Sequence, residues 1–243
     1  MADHSTVHIG QLTLAYRVFG EPDAPPAVLL HALGERAADW DEVAVALAGR
    51  RRVYAVDLRG HGDSGRCAAY SLELMRDDVL AFMDALGIAR ADLVGHSMGG
   101  VVAYLLAMAR PDRVARLVLE DVPPPWPREP APLPVLTDPL PFDPAAVPPL
   151  RGQADHPDPA WLAGLPSITA PTLVVAGGPP SHVPQDRLAE LARRIPDCRL
   201  VTVPVGHLVH SAAPGRFIDE VTGFLFPPGP DESHRASSST GAE

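Results

Sequence analysis

The stretch LVGHSMGG (93–100) spaces Gly95, Ser97 and Gly99 as G-x-S-x-G, with an apolar run before it and a helical pattern after it. Small residues two before and two after a serine let the chain turn tightly from strand to helix, lifting the hydroxyl into the open. The helix that follows turns its first amides toward the same spot and favours negative charge there. A three-position match arises by chance; the strand before and the helix after make Ser97 a candidate nucleophile. A serine hydroxyl needs a base. Of ten histidines, His207 in VPVGHLVH stands on a Gly-preceded loop just past the last expected strand. His210 is its nearest rival, expected in the following helix or its approach, whereas His61, His96 and His182 read as turn or supporting residues. LVLEDVPPP (117–125) sets Glu120 and Asp121 side by side where an apolar run ends. Unpaired charge beside a core is costly, so either both face water or one serves a partner far along the chain.

These residues need a scaffold. VHIGQLTLAYRVFG (7–20), with Leu12, Leu14, Tyr16 and Val18 at period two, predicts an opening hairpin. PAVLLH (26–31), RVYAVD (52–57), ADLVGH (91–96), ARLVLED (115–121), PTLVVAGG (171–178) and CRLVTVP (198–204) are short apolar runs, as strands buried on both faces require. Helical spacing covers roughly 38–48, 71–86, 98–109, 185–195 and 213–226, with Ser71 as an N-cap and Gly87 as a stop. Alternation of the two predicts a mainly parallel sheet with helices on both sides. Residues 122–166 hold fifteen of the 29 prolines, interleaved with Trp126, Leu133, Leu136, Phe142, Trp161 and Leu162. So long a connection is usually functional or disordered, and its large apolar side chains predict a small lid packed over the sheet. The polar stretch 227–243 predicts a disordered tail, leaving 1–226 as the domain.

The 243 residues carry a net charge of −10, and the mean hydropathy is +0.04. An acidic chain without a basic stripe argues against nucleic acid as a partner. Cys67 and Cys198 lack metal or redox spacing. The start MADHSTVHIG has no basic or apolar leader pattern, and no apolar run reaches membrane-spanning length. The expectation is a soluble cytoplasmic protein with a small-molecule substrate.

In LLHALGERAADW (29–40), VDLRGHGDS (56–64), LVGHSMGG, APTLVVAGG (170–178) and VGHLVH (205–210), taken in order, the chain resembles the α/β-hydrolase fold over about 220 residues. That resemblance implies a sheet of about eight mostly parallel strands with a lid insertion, and a Ser–acid–His triad. It also implies an oxyanion hole from the amides of Leu33 and Met98. Ala32 replaces the glycine usual after His31, and His31 reads as a structural hydrogen-bonding residue beside the pocket. Most relatives carry the acid after the strand that follows the lid, where this chain has Pro180 in GGPPSHVP (177–184). Some members place it one strand earlier, the position of Asp121. Glu120 would then point the other way or to solvent. Asp186 falls in a helix, and Asp57 reads as a turn anchor.

The expected function is therefore a serine hydrolase, a carboxylesterase for small, fairly apolar esters, with no metal or organic cofactor. Thioesterase, lactonase, C–C hydrolase, perhydrolase and acyltransferase chemistry share the same triad. His31, Trp126, Phe142 and Trp161 are the candidate pocket residues. The contrary reading, motivated by Pro180, is a catalytically weak relative that binds a small apolar ligand.

Overall fold

The computed structural model describes residues 3–130 and 140–227. Eight strands form one sheet: β1 (Asp3–Ile9), β2 (Leu12–Phe19), β3 (Pro26–Leu30), β4 (Arg52–Val56), β5 (Ala91–His96), β6 (Val114–Glu120), β7 (Thr172–Ala176) and β8 (Cys198–Thr202). Their order is β1-β2-β4-β3-β5-β6-β7-β8. The opening hairpin pairs antiparallel with itself and with β4, and every later pairing is parallel.

Two cores follow from the two-residue period of the strands. Leu30, Leu93, Leu117, Leu119 and Val174 face one core, with α2 (Leu72–Ala85), α3 (Met98–Ala109) and α6 (Gln185–Arg194) packed on that side. Leu29, Val94, Val118, Leu173 and Val175 face the other, under α1 (Asp41–Leu47) and α8 (Pro214–Leu225). The central strands read as unbroken apolar runs because both of their faces are covered. α3 is apolar almost all round, with Met98 through Ala107 buried, as a helix enclosed by neighbours must be. Ser71 caps α2 by accepting from the Leu74 amide, and Gly87 takes the left-handed conformation after it.

The proline-rich connection forms two helices absent from the sequence expectation, α4 (Val147–Asp155) and α5 (Pro159–Gly164). Their starts carry clear chemistry: Asp143 accepts from the Ala145 amide ahead of the turn that leads into α4, and Asp158 accepts from the Ala160 amide at α5. Proline next to such a cap loses no helical hydrogen bond. Gln153 of α4 accepts from the Leu72 amide at 2.8 Å and donates to Glu73 at 2.7 Å, tying this segment to α2. Leu133, Leu136 and the tail beyond 227 lie outside the described residues. The short helix α7 (Val209–Ala212) was also not expected.

Candidate active site

Ser97 sits where β5 becomes α3, at φ 50° and ψ −114°. Non-glycine residues rarely hold such a conformation unless their surroundings impose it. The surroundings explain the flanking glycines: a Cβ on Gly95 would lie 2.5 Å from the Gly99 carbonyl oxygen, and one on Gly99 would lie 2.2 Å from the Leu30 carbonyl oxygen. Any side chain at either position would push the turn off the sheet.

Asp121 follows β6, also at positive φ (38°), and is fully buried. Its carboxylate accepts from His207 Nδ1 at 2.8 Å, from the Gly177 amide at 2.8 Å, from Gln185 Nε2 at 3.1 Å and from the Ser181 hydroxyl. Burial works against its charge, but the bonds from His207, Ser181, Gly177 and Gln185 outweigh it and hold its pKa below the ordinary value. Pro180 is bypassed, and its neighbour Ser181 helps to orient Asp121 instead. A Cβ on Gly177 would meet the Gly206 carbonyl at 2.1 Å and Asp121 Cγ at 3.2 Å, so this close approach requires glycine.

Glu120 takes the first of its two expected orientations, away from Asp121 and not to water: it is fully buried and accepts from the backbone amide of His210 at 2.8 Å and from its Nδ1 at 2.9 Å. Strand alternation sends it to the Val118 face, where the Trp40 ring stacks on His210 with centroids 4.5 Å apart. Beside this pair lies His96, the residue before Ser97. His96 Nδ1 donates to Glu35 at 3.0 Å and Nε2 donates to the His207 carbonyl at 2.9 Å. Both partners only accept, so both ring nitrogens carry protons and His96 is an imidazolium. Burial alone would strip that proton, but the Glu120 charge and the Glu35 hydrogen bond reverse the effect, and the pKa stands at about 9. Burial raises the Glu35 pKa, and its contacts with His96 overcome this and bring it down to about 2. Glu35, His96 and His210 bring potential ligand atoms within 4.8 Å of one another, but both ring nitrogens of His96 already donate hydrogen bonds.

Glu35 also accepts from the Ala32 amide at 2.9 Å, which shapes the loop carrying Leu33. The positive φ in this loop falls on Gly34 (89°), so alanine at position 32 is tolerated. His31 is fully buried; Nδ1 donates to the Ala32 carbonyl at 2.8 Å and Nε2 accepts from the Leu58 amide at 3.0 Å. That fixes a neutral tautomer, and burial lowers its pKa to about 4. Asp57 anchors a turn by accepting from the amides of Ala37 and Asp63.

A cavity of about 480 Å³ opens at the carboxyl ends of the central strands. Its wall includes Leu33, Ser97, Met98, His182 and His207, with Val147, Leu150, Arg151 and Ala154 contributed by α4. Of the four candidate pocket residues only Phe142 lies on it. His31 is fully buried, behind the loop that carries Leu33. Trp161 is buried in the α2–α3 core, and Trp126 packs at its edge beneath Arg187 and Arg194. Trp126 and Trp161 thus serve packing, although Pro123 and Arg128 of the same connection do reach the cavity wall. Glu35, Arg128 and Arg151 also line the cavity without having been singled out from the sequence, and His182, expected as a turn or supporting residue, joins them on the wall; Glu35 lies inside the stretch 29–40, while nothing in the pattern marked Arg151.

An eight-stranded sheet of this order, with a strained serine after β5 and its cavity at the strand ends, defines a class. The chain belongs to the α/β-hydrolase fold family, whose model matches residues 25–148. It is 31% identical to the sn-1-specific diacylglycerol lipase ABHD11 of Mus musculus, over 88% of this chain and 85% of that protein. It is 42% identical to a putative carbamate hydrolase RutD of Caulobacter vibrioides, over 44% of this chain and 41% of that one. A hydrolase from Pseudomonas aeruginosa superposes with a TM-score of 0.73 at 26% identity, covering 92% of this chain and 98% of the other. Hydrolase chemistry is the common property of these relatives. No helix among the described residues is long and apolar enough to cross a membrane.

Proposed function

We propose that the protein is a serine hydrolase that cleaves small carboxylic esters with a largely apolar body through an acyl-enzyme. The observation that carries this reading is the convergence of Ser97 and an Asp121-bonded His207 on one cavity. His207 takes the Ser97 proton on Nε2 as Oγ attacks the ester carbonyl. Asp121 holds Nδ1 protonated and stabilises the imidazolium that forms. The tetrahedral oxyanion accepts from the amides of Leu33 and Met98, each worth about 3 kcal/mol of barrier in comparable sites. Collapse expels the alcohol with the proton from His207. Water then attacks the acyl carbon and gives its proton to His207, which returns it to Ser97 Oγ as the ester bond to the serine breaks and the acid leaves. Leu72, Val101, Val147 and Leu150 on the wall suit an apolar substrate body.

The ligand-binding alternative rested on a missing acid at Pro180, and Asp121 bonded to His207 takes away its motive. The test is release of p-nitrophenol from the acetate and butyrate esters. Wild type turns over, and Ser97→Ala loses activity to background; equal rates in the two would end this assignment.

A further inference from the structure

Arg151 stands on α4 and lines the cavity, and among the described residues its side chain has no carboxylate partner. Its Nε is buried with no hydrogen-bond acceptor among those residues. The expected intrahelical partner would be Asp155, one turn further along α4. Asp155 is instead taken by Arg128, whose Nε bonds to Oδ1 at 2.6 Å and whose amide bonds to the Asp155 carbonyl at 3.0 Å. The acid on the cavity wall, Glu35, is matched by His96. One guanidinium is therefore left over in the cavity of a chain whose net charge is −10. The field of the two arginines reaches the site: burial first, then the His207, Arg128 and Arg151 charges, lower the pKa of His182, whose ring lies 4.2 Å from that of His207.

A buried donor without a partner is costly, on the order of 1–3 kcal/mol and more for a charged group. A guanidinium matches a carboxylate with two parallel hydrogen bonds. We infer that Arg151 is an anion subsite, and that the substrate is an ester bearing a free carboxylate whose apolar chain spans from Arg151 to Ser97. This rests on the hydrolase reading and narrows it.

The test compares two pairs of esters by acid release: monomethyl glutarate against methyl pentanoate, with the charge on the acyl side, and 4-acetoxybutanoate against butyl acetate, with the charge on the alcohol side. In wild type, kcat/KM for the charged member of one pair exceeds that of its neutral partner at least tenfold. Arg151→Gln collapses that ratio toward one, and Arg151→Lys, which keeps the charge, retains part of it. Absence of any preference in wild type, or a preference that survives Arg151→Gln, overturns the inference. Calorimetric binding of glutarate to Ser97→Ala, with and without Arg151→Gln, needs no turnover. If wild type cleaves no ester, the hydrolase reading fails, and that titration judges Arg151 alone: binding lost with Arg151→Gln sustains the subsite, and equal or absent binding removes it.

Discussion

His96 Nε2 donates to the backbone carbonyl of His207 at 2.9 Å, joining residues 111 positions apart. Its other nitrogen reaches Glu35, which in turn holds the Ala32 amide. A single imidazolium thus connects the turn that presents Ser97, the loop that carries Leu33 and the loop that carries His207. Glu120, through His210, braces that last loop from the opposite side. In the proposed mechanism His96 touches no reacting atom and acts by holding these loops in place.

Replacing it should therefore disturb geometry more than binding. His96→Asn removes the link to Glu35 or to His207, since one amide cannot donate along both directions. A displacement near 1 Å costs roughly a hundredfold in rate. The expected outcome is a 10–100-fold fall in kcat with little change in KM for p-nitrophenyl butyrate. Unchanged kcat would show that the three loops hold their places without the link.

The same group gives stability a pH dependence. His96 is raised from its ordinary 6.5 to about 9 in the folded protein, so its contribution is full below pH 6.5 and is lost as pH rises through 9. His31 and His61 do the reverse: burial keeps them neutral, with values lowered to about 4 and about 3. The unfolded chain binds their protons below pH 6.5 and the folded chain does not, so stability falls as pH drops from there. Melting temperature should peak near pH 6.5 and decline on both sides. His96→Asn should flatten the alkaline limb selectively; a wild-type curve that still rises between pH 7 and 9 would contradict the charge assigned to His96.

Asp121 carries the second prediction about rate. Asn in its place presents an amide that favours the wrong His207 tautomer, and in comparable triads this costs about 10⁴ in kcat. Asp121→Asn should lose three to four orders of magnitude at pH 7 while Ser97 remains in place. A loss below tenfold would mean that His207 is oriented by another group.

Much of this was legible in the sequence because the signals were local. The ends of β5 and α3 coincide with the apolar run 91–96 and the helical run 98–109, since a glycine-flanked turn separates two different periods. Glu120 shows the boundary of such reasoning: alternation gave its face, but its partner His210 lies 90 residues on, and no local pattern encodes that. α4 and α5 were hidden by their prolines, although the Asp143-Pro144 and Asp158-Pro159 pairs are helix starts in plain view. Phe142 did reach the cavity, but Trp126 and Trp161 misled, because an aromatic in a long connection packs wherever the connection lies, and only the fold reveals what it covers.

Ser97 itself carries the last prediction. Its conformation, φ 50° and ψ −114°, stores strain on the order of 1–3 kcal/mol, and the strain belongs to its Cβ rather than its hydroxyl. Ser97→Gly should relieve it, offset in part by the greater freedom glycine gives the unfolded chain, about 0.5–1 kcal/mol. A net gain near 1 kcal/mol corresponds to roughly 2–4 °C in a chain of this size. Ser97→Ala keeps the Cβ and should melt with the wild type, while both variants are inactive. Thermal scans of the three proteins side by side separate the terms. A glycine variant that melts no higher than the alanine variant would mean that the glycines at 95 and 99 already absorb the strain of the turn.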